Sequence, residues 1–299
     1  KAFEDYTDVS GEEAKEKLTK EEITERSNIK GVWFEEDYRR VYPLNSTASH
    51  LVGFTYTGNS ADWGIEGYYS STLNGVNGRQ FGYYNSDADV EQNIIDPING
   101  NSVESTIDLN IQQVVEKYIS NFMDGMANGP RGAEGAANVG VIVANPKNGE
   151  ILAMATDNPY DLNNPRDLTS YYSQDEINGM DNDTMLKNLY GIWKNYCISD
   201  AFEPGSTVKP LTIGAALDAD VVQPSDTFVC DGYQMFGGTR IRCSIYPGAH
   251  GTETLSDLIK HSCNDGLMQI GALLGPEEFL KYQKIFNFGA TTGIDLPGE

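Results

Sequence analysis

Ser206 and Lys209, in the stretch FEPGSTVKPLT (residues 202–212), carry residue types at a spacing that could do acyl-transfer chemistry. Three residues apart on a helix, two side chains share a face one turn apart. A serine hydroxyl is a weak nucleophile unless a base stands within hydrogen-bond reach, and a lysine that sheds its proton near neutrality can be that base. Burial and the positive end of a helix dipole both push a lysine in that direction. The free N–H groups of the same helix start can stabilise an oxyanion. With Ser206 as the cap, Pro210 becomes the fourth helical residue. Its missing N–H then forfeits about one backbone bond, and it discourages helical geometry at Lys209. Local conflicts of this kind collect at functional sites.

Ser-x-x-Lys alone is not specific. It arises by accident about once in a chain of this length, and Ser27-Asn28-Ile29-Lys30 is a second copy. Ser262-Cys263-Asn264, the one Ser-x-Asn in the sequence, adds a second element. The serine could relay a proton and the carboxamide could bind a peptide carbonyl or amide. Both are also good helix caps, the alternative use of such residues.

Residues 11–27 suit a solvated helix carrying Leu18 and Ile23. VWFEEDYRRVYP and LVGFTYT, within 31–57, have strand composition, and 58–100 is turn-rich. VESTID (103–108) reads as a short strand. Asn110, with Gln113 returning to it, is the expected cap of a helix. Its buried face would be Ile111, Val114, Val115, Tyr118, Ile119 and Phe122. NVGVIVANP (138–146) and EILAMAT (150–156) form a hairpin through Lys147-Asn148-Gly149. They are apolar enough for the middle of a helix-covered sheet. Residues 157–190 read as irregular. Three short helices follow at 254–262, 264–275 and 276–286, with Pro276 in the first turn of the last. A hairpin followed mostly by helices is α+β, with a domain boundary expected near residue 104.

The 299 residues carry a net charge of −23, which argues against nucleic acid and a basic membrane-surface patch. No apolar run approaches the eighteen or so residues of a membrane span. The chain opens on Lys1 without a signal-peptide pattern, so it reads as an excised piece, with any targeting segment outside it. Cys197, Cys230, Cys243 and Cys263 contain no C-x-x-C pair, and His50, His250 and His261 have no metal-ligand spacing, which argues against zinc. Cys230 and Cys243 are near enough in sequence to be bridged. Four cysteines allow three pairings, and two free thiols are the alternative.

Taken in order, the segments STIDLNIQQVVEKYI, VGVIVANPKNGEILAMAT, Trp193, Asn195, ISDAFEPGSTVKP, HGTETL, HSCN and FNFGATTGIDLPGE resemble the transpeptidase domain of penicillin-binding proteins. RRVYPLNSTASHLVGF and GIEGYYSSTLNGVNGR resemble the non-catalytic pedestal of class B, monofunctional members. The likeness covers roughly residues 30 to 299. It implies an elongated pedestal (1–103, partial) and the N-terminal part of a transpeptidase domain (104–299), with an antiparallel sheet flanked by helices. Residue by residue, it implies Ser206 as acylated nucleophile, Lys209 as general base, Ser262 as proton shuttle and Asn264 as binder of the substrate backbone. The implied substrate is the D-Ala-D-Ala end of a peptidoglycan stem peptide, with β-lactams acylating the same serine.

No metal or organic cofactor is implied. Cell-wall synthesis or division proteins are the implied macromolecular partners, at the extracytoplasmic face of a bacterial membrane. One departure stands out: no Lys-Ser/Thr-Gly triplet occurs, and Thr291-Thr292-Gly293 belongs to the segment that precedes it in the family. Truncation is the simplest reading, and the 299 residues are expected to be inactive alone. The alternatives are a non-catalytic scaffold of a division or sporulation complex, or a β-lactam sensor domain.

Overall fold

The computed structural model describes residues 17–29, 39–56, 60–84, 90–127 and 136–299. Its contacts separate Lys1–Val41 from Tyr42–Glu299. In the first unit, helix α1 (Lys20–Ser27) buries none of its residues. Thr19 caps it: its hydroxyl accepts from Glu22 N, and Glu22 accepts from Thr19 N at 2.8 Å. Ser27 Oγ donates to Thr24 O of its own helix, and Lys30, its partner in the second Ser-x-x-Lys, lies outside the described residues.

The second unit opens differently from its composition. Most of VWFEEDYRRVYP lies outside the described residues, and LVGFTYT is not a strand: Leu51 and Val52 end helix α2 (Ser49–Val52). Gly53 follows at φ 73, where a Cβ would fall 1.9 Å from Trp63 O, so the backbone turns where only glycine fits. The aromatic residues that suggested a strand fill a core instead. Phe54 packs its ring edge-on against Tyr56, Tyr160 and Trp193, at centroid distances of 5.3, 5.9 and 4.9 Å. The turn-rich region holds two short helices, α3 (Gly64–Tyr68) and α4 (Ser70–Leu73), and an antiparallel pair, β1 (Arg79–Tyr84) with β2 (Val90–Ile95).

VESTID runs extended beside the next hairpin without becoming a strand. Thr106 Oγ1 donates to Ile151 O and Asp108 N to Leu152 O, too few bonds for a ladder. Helix α5 (Leu109–Ala127) is capped by Asp108, not Asn110: Asp108 Oδ1 accepts from Asn110 N at 2.8 Å and Ile111 N at 3.1 Å. Its buried face is also rotated from the expected one. Gln112 and Ile119 are buried, whereas Val114, Tyr118 and Phe122 are about half or more exposed. The reason is a polar anchor. Gln112 Nε2 donates to Met154 O at 3.0 Å and its Oε1 accepts from Met154 N at 2.9 Å. A side-chain amide thus takes the place of a neighbouring strand. The expected hairpin is present: β3 (Gly140–Ala144) pairs antiparallel with β4 (Ile151–Thr156), Ile142 opposite Met154. Gly149, at φ 81, closes its turn. Among the described residues these strands pair only with each other, because apolar composition reports burial and not the number of strand neighbours.

Residues 157–190 are not irregular throughout. Helices α6 (Gln174–Gly179) and α7 (Asn182–Trp193) lie there, capped by Ser173 with Glu176 and by Asp181. Leu189, Ile192 and Trp193 face the aromatic core. His50 is buried beside it, its Nε2 donating to Ile192 O at 2.7 Å and its Nδ1 3.1 Å from Thr156 Oγ1. Burial lowers its pKa from the ordinary 6.5. The folded chain keeps His50 neutral while the unfolded chain takes up the proton. Stability from this residue is therefore complete above pH 6.5 and falls below it, by up to about 1.4 kcal/mol per pH unit. Urea unfolding at successive pH values is expected to show that fall, and His50→Gln to flatten it.

The chain continues through α8 (Tyr196–Ser199), a 3₁₀ turn (Gly205–Val208) and α9 (Lys209–Asp218). Strands β5 (Thr227–Cys230) and β8 (Gly251–Thr254) pair antiparallel around a second pair, β6 (Tyr233–Phe236) with β7 (Thr239–Arg242). Helix α10 (Leu255–Lys260) leads to α11 (Asn264–Ile285), which breaks at Gly275, φ 73, just before Pro276. The three expected helices are therefore present, two of them joined at a kink. Ile213, Phe228, Leu258, Leu267 and Ile270 form the core under this part. The architecture is α+β, and no helix among the described residues is long and apolar enough to cross a membrane.

Candidate active site

Gly205, at φ 60, turns the chain into the 3₁₀ segment that presents Ser206, and α9 starts only at Lys209. Pro210 is therefore the second helical residue, not the fourth. The carbonyl of Ser206 already accepts from Lys209 N, so the missing proline N–H forfeits no helical bond. Lys209 is helical (φ −58, ψ −43) despite the proline behind it, so the conflict expected at that residue is present.

The four residues singled out in the sequence meet. Lys209 Nζ donates to Ser262 O at 2.6 Å, Ser262 Oγ at 2.9 Å and Asn264 Oδ1 at 2.6 Å. Ser262 Oγ donates to Ser206 Oγ at 2.9 Å. No direct hydrogen bond joins Ser206 Oγ to Lys209 Nζ among the described residues; the connection runs through Ser262. That serine has φ 50, a left-handed conformation that costs a non-glycine residue about 1–3 kcal/mol. In it, hydroxyl and carbonyl both reach one amine. Asn264 Nδ2 donates to Arg242 O at 3.2 Å, which ties the segment to β7.

The amine is half-buried, and burial pushes its pKa below the ordinary lysine value. Its three neighbours suit a neutral amine as well as an ammonium. Two are carbonyl-type oxygens that only accept, and they can take the two N–H bonds of a neutral amine. The third is a hydroxyl that can turn and donate to the freed lone pair. Beside the amine lies a depression of about 320 Å³, lined by Gly205, Val208, Ile241, Asn264 and Met268 among others.

Asp265 was missed by sequence reasoning. It is fully buried, and its carboxylate accepts from Asp231 N, Gly232 N, Gln234 Nε2 and Gln269 Nε2 at 2.6–3.1 Å. An acid directly after Ser-x-Asn was the available signal, but nothing local says which donors it meets. Asp265→Asn turns one acceptor into a donor facing other donors. It is expected to cost about 2–4 kcal/mol in urea unfolding. Nearby, Gly266 lets α11 approach α10: a Cβ there would sit 2.3 Å from Leu258 Cδ2.

The four cysteines are free thiols, so no Cys230–Cys243 bridge is formed. The linear spacing that argued against a metal does not describe their placement in space: Cys230, Cys243, His250 and Cys263 bring their ligand atoms within 4.8 Å of one another.

The family pattern described as the penicillin binding protein transpeptidase domain matches residues 139–299, more than half of the chain. The chain is 33% identical to stage V sporulation protein D of Bacillus subtilis, over 97% of this chain and 40% of that protein. It is 25% identical to the peptidoglycan D,D-transpeptidase MrdA of Escherichia coli, over 87% of this chain and 41% of that protein. Its fold is similar to that of penicillin binding protein 2X from Streptococcus thermophilus, with a TM-score of 0.68 at 23% identity, over 96% of this chain and 40% of that one. The chain thus spans about 40% of the length of these relatives.

Proposed function

Because the chain belongs to the penicillin-binding protein transpeptidase family and is homologous to its class B members, we propose that Ser206 is the acylated nucleophile of a peptidoglycan D,D-transpeptidase. The observation that carries this reading is the unbroken hydrogen-bonded chain from Ser206 Oγ through Ser262 Oγ to Lys209 Nζ. Since the chain covers about 40% of its relatives, the activity is assigned to the whole protein.

With Lys209 neutral, Ser206 Oγ attacks the carbonyl carbon of the penultimate D-Ala. Its proton passes to Ser262, whose own proton passes to Lys209. The C–N bond to the terminal D-Ala breaks, and that nitrogen takes the proton back along the same route. An ester at Ser206 remains. An amine from a neighbouring stem peptide then attacks the ester, loses its proton to the relay and restores the serine. Asn264 keeps its Oδ1 on the lysine and one Nδ2–H on Arg242 O, and offers its other Nδ2–H to the substrate backbone. A strained β-lactam amide would enter the first half of this sequence and stop at the ester.

The test is covalent trapping. The whole protein is incubated with a labelled penicillin and digested, and the modified peptide is located by mass spectrometry. The expected adduct lies on Ser206; an adduct on another residue, or none, overturns the assignment.

A further inference from the structure

We propose that Cys230, Cys243, His250 and Cys263 bind one zinc ion, in a site separate from the Ser206–Lys209 relay. The four come from different elements. Cys230 ends β5, Cys243 follows β7, His250 precedes β8 and Cys263 caps α11. The three cysteines are buried, 4% exposed or less, and His250 is half-buried.

Three of the six separations among the four ligand atoms match a coordination shell, and all six lie within 4.8 Å. Zinc takes thiolate sulfur at about 2.3 Å and imidazole nitrogen at about 2.0–2.1 Å, so the edges of a tetrahedron are about 3.8 Å between sulfurs and about 3.6 Å from sulfur to nitrogen. Cys243 Sγ and Cys263 Sγ are 3.8 Å apart, and His250 Nδ1 lies 3.6 Å from Cys230 Sγ and 3.7 Å from Cys243 Sγ. A disulfide would need its sulfurs at about 2.05 Å. Three thiolates and one imidazole make a ligand set that zinc occupies in closed structural sites.

Glu253 is buried and borders the cluster: its Oε2, without a hydrogen-bond partner among the described residues, lies 3.5 Å from His250 Nδ1. Its Oε1 accepts from His261 Nδ1 at 2.7 Å.

Binding releases the three thiol protons to solvent and forms three Zn–S bonds and one Zn–N bond. The consequence is positional. Cys263 sits between Ser262 and Asn264, and Cys243 follows Arg242, whose carbonyl accepts from Asn264 Nδ2. The ion would therefore hold both sides of the segment that presents Ser262 and Asn264. Metal binding itself does not depend on the role given to Ser206.

The experiment uses the whole protein, expressed with zinc, kept reduced and purified without chelator. Elemental analysis is expected to find one zinc per chain. Titration with a mercurial is expected to release it as the cysteine ligands react. Cobalt replacement is expected to give the d–d bands of a tetrahedral ion with thiolate charge transfer. Cys230→Ser is expected to weaken zinc retention against a competing chelator by more than about 100-fold, since losing only an outer-shell partner costs about 10–100-fold. Cys197→Ser, away from the cluster, keeps the metal. If Cys230→Ser does not fold, the cobalt spectrum and the mercurial release of the unaltered protein decide alone. Folded protein without zinc whose thiols all react freely, or a disulfide within the cluster in place of metal, overturns the proposal.

Discussion

Ser206→Ala in the whole protein is expected to reduce covalent labelling by a fluorescent penicillin to background, with the melting temperature unchanged or slightly altered. Ser206 is exposed, and among the described residues its Oγ takes part in one hydrogen bond, to Ser262. Removing an exposed hydroxyl with a single partner costs stability little. Removing a nucleophile leaves no atom to form the ester, and no residual catalysis replaces it in a trapping assay. Gel fluorescence after a fixed exposure is the measurement. Full labelling of the variant would show that another residue carries the acyl group, and the relay would then need another purpose.

Lys209→Arg is the second large effect. A guanidinium keeps the positive charge and can still donate to Ser262 O and Asn264 Oδ1, but it cannot lose its proton. If the lysine served only to tie these oxygens together, arginine would retain much of the acylation rate. If it is the base, the rate is expected to fall by about 10²–10⁴-fold, the usual contribution of general-base catalysis. Stopped-flow acylation by a chromogenic β-lactam measures this. The pH profile separates the two roles further. Burial lowers the Lys209 pKa, and the reactive form is the neutral amine. The unaltered rate should therefore climb as pH rises toward that lowered pKa and level off above it. The arginine variant should show no such limb.

Much of the site was legible in the chain itself. Ser206 and Lys209 were spaced for one helical turn, and Ser262-Cys263-Asn264 offered a hydroxyl and an amide between two predicted helices. The structure joins all four. The direct serine–lysine contact implied by the spacing is absent because Ser206 lies in a 3₁₀ turn ahead of α9 rather than within it. Helices and the β3–β4 hairpin were readable from periodicity and turn residues. The strands expected at LVGFTYT were not formed, since β-branched and aromatic residues also fill irregular cores. The face of α5 was misjudged because a buried glutamine, clamped to Met154, outranked apolar side chains.

Local chemistry, then, is what the amino-acid order determined by itself: which hydroxyls, amine and amide stand at helix starts, where the hairpin turns, and that the fold is α+β. These depend on residues a few positions apart, whose geometry is set by backbone sterics and capping. Only the tertiary structure decided that the hydrogen-bonded link from Ser206 to Lys209 runs through Ser262, that Asp265 is held by four donors, and that three cysteines and His250 converge. Those contacts join residues far apart in the chain, and they follow from how β5–β8 and α9–α11 pack around a shared core, which no local spacing encodes.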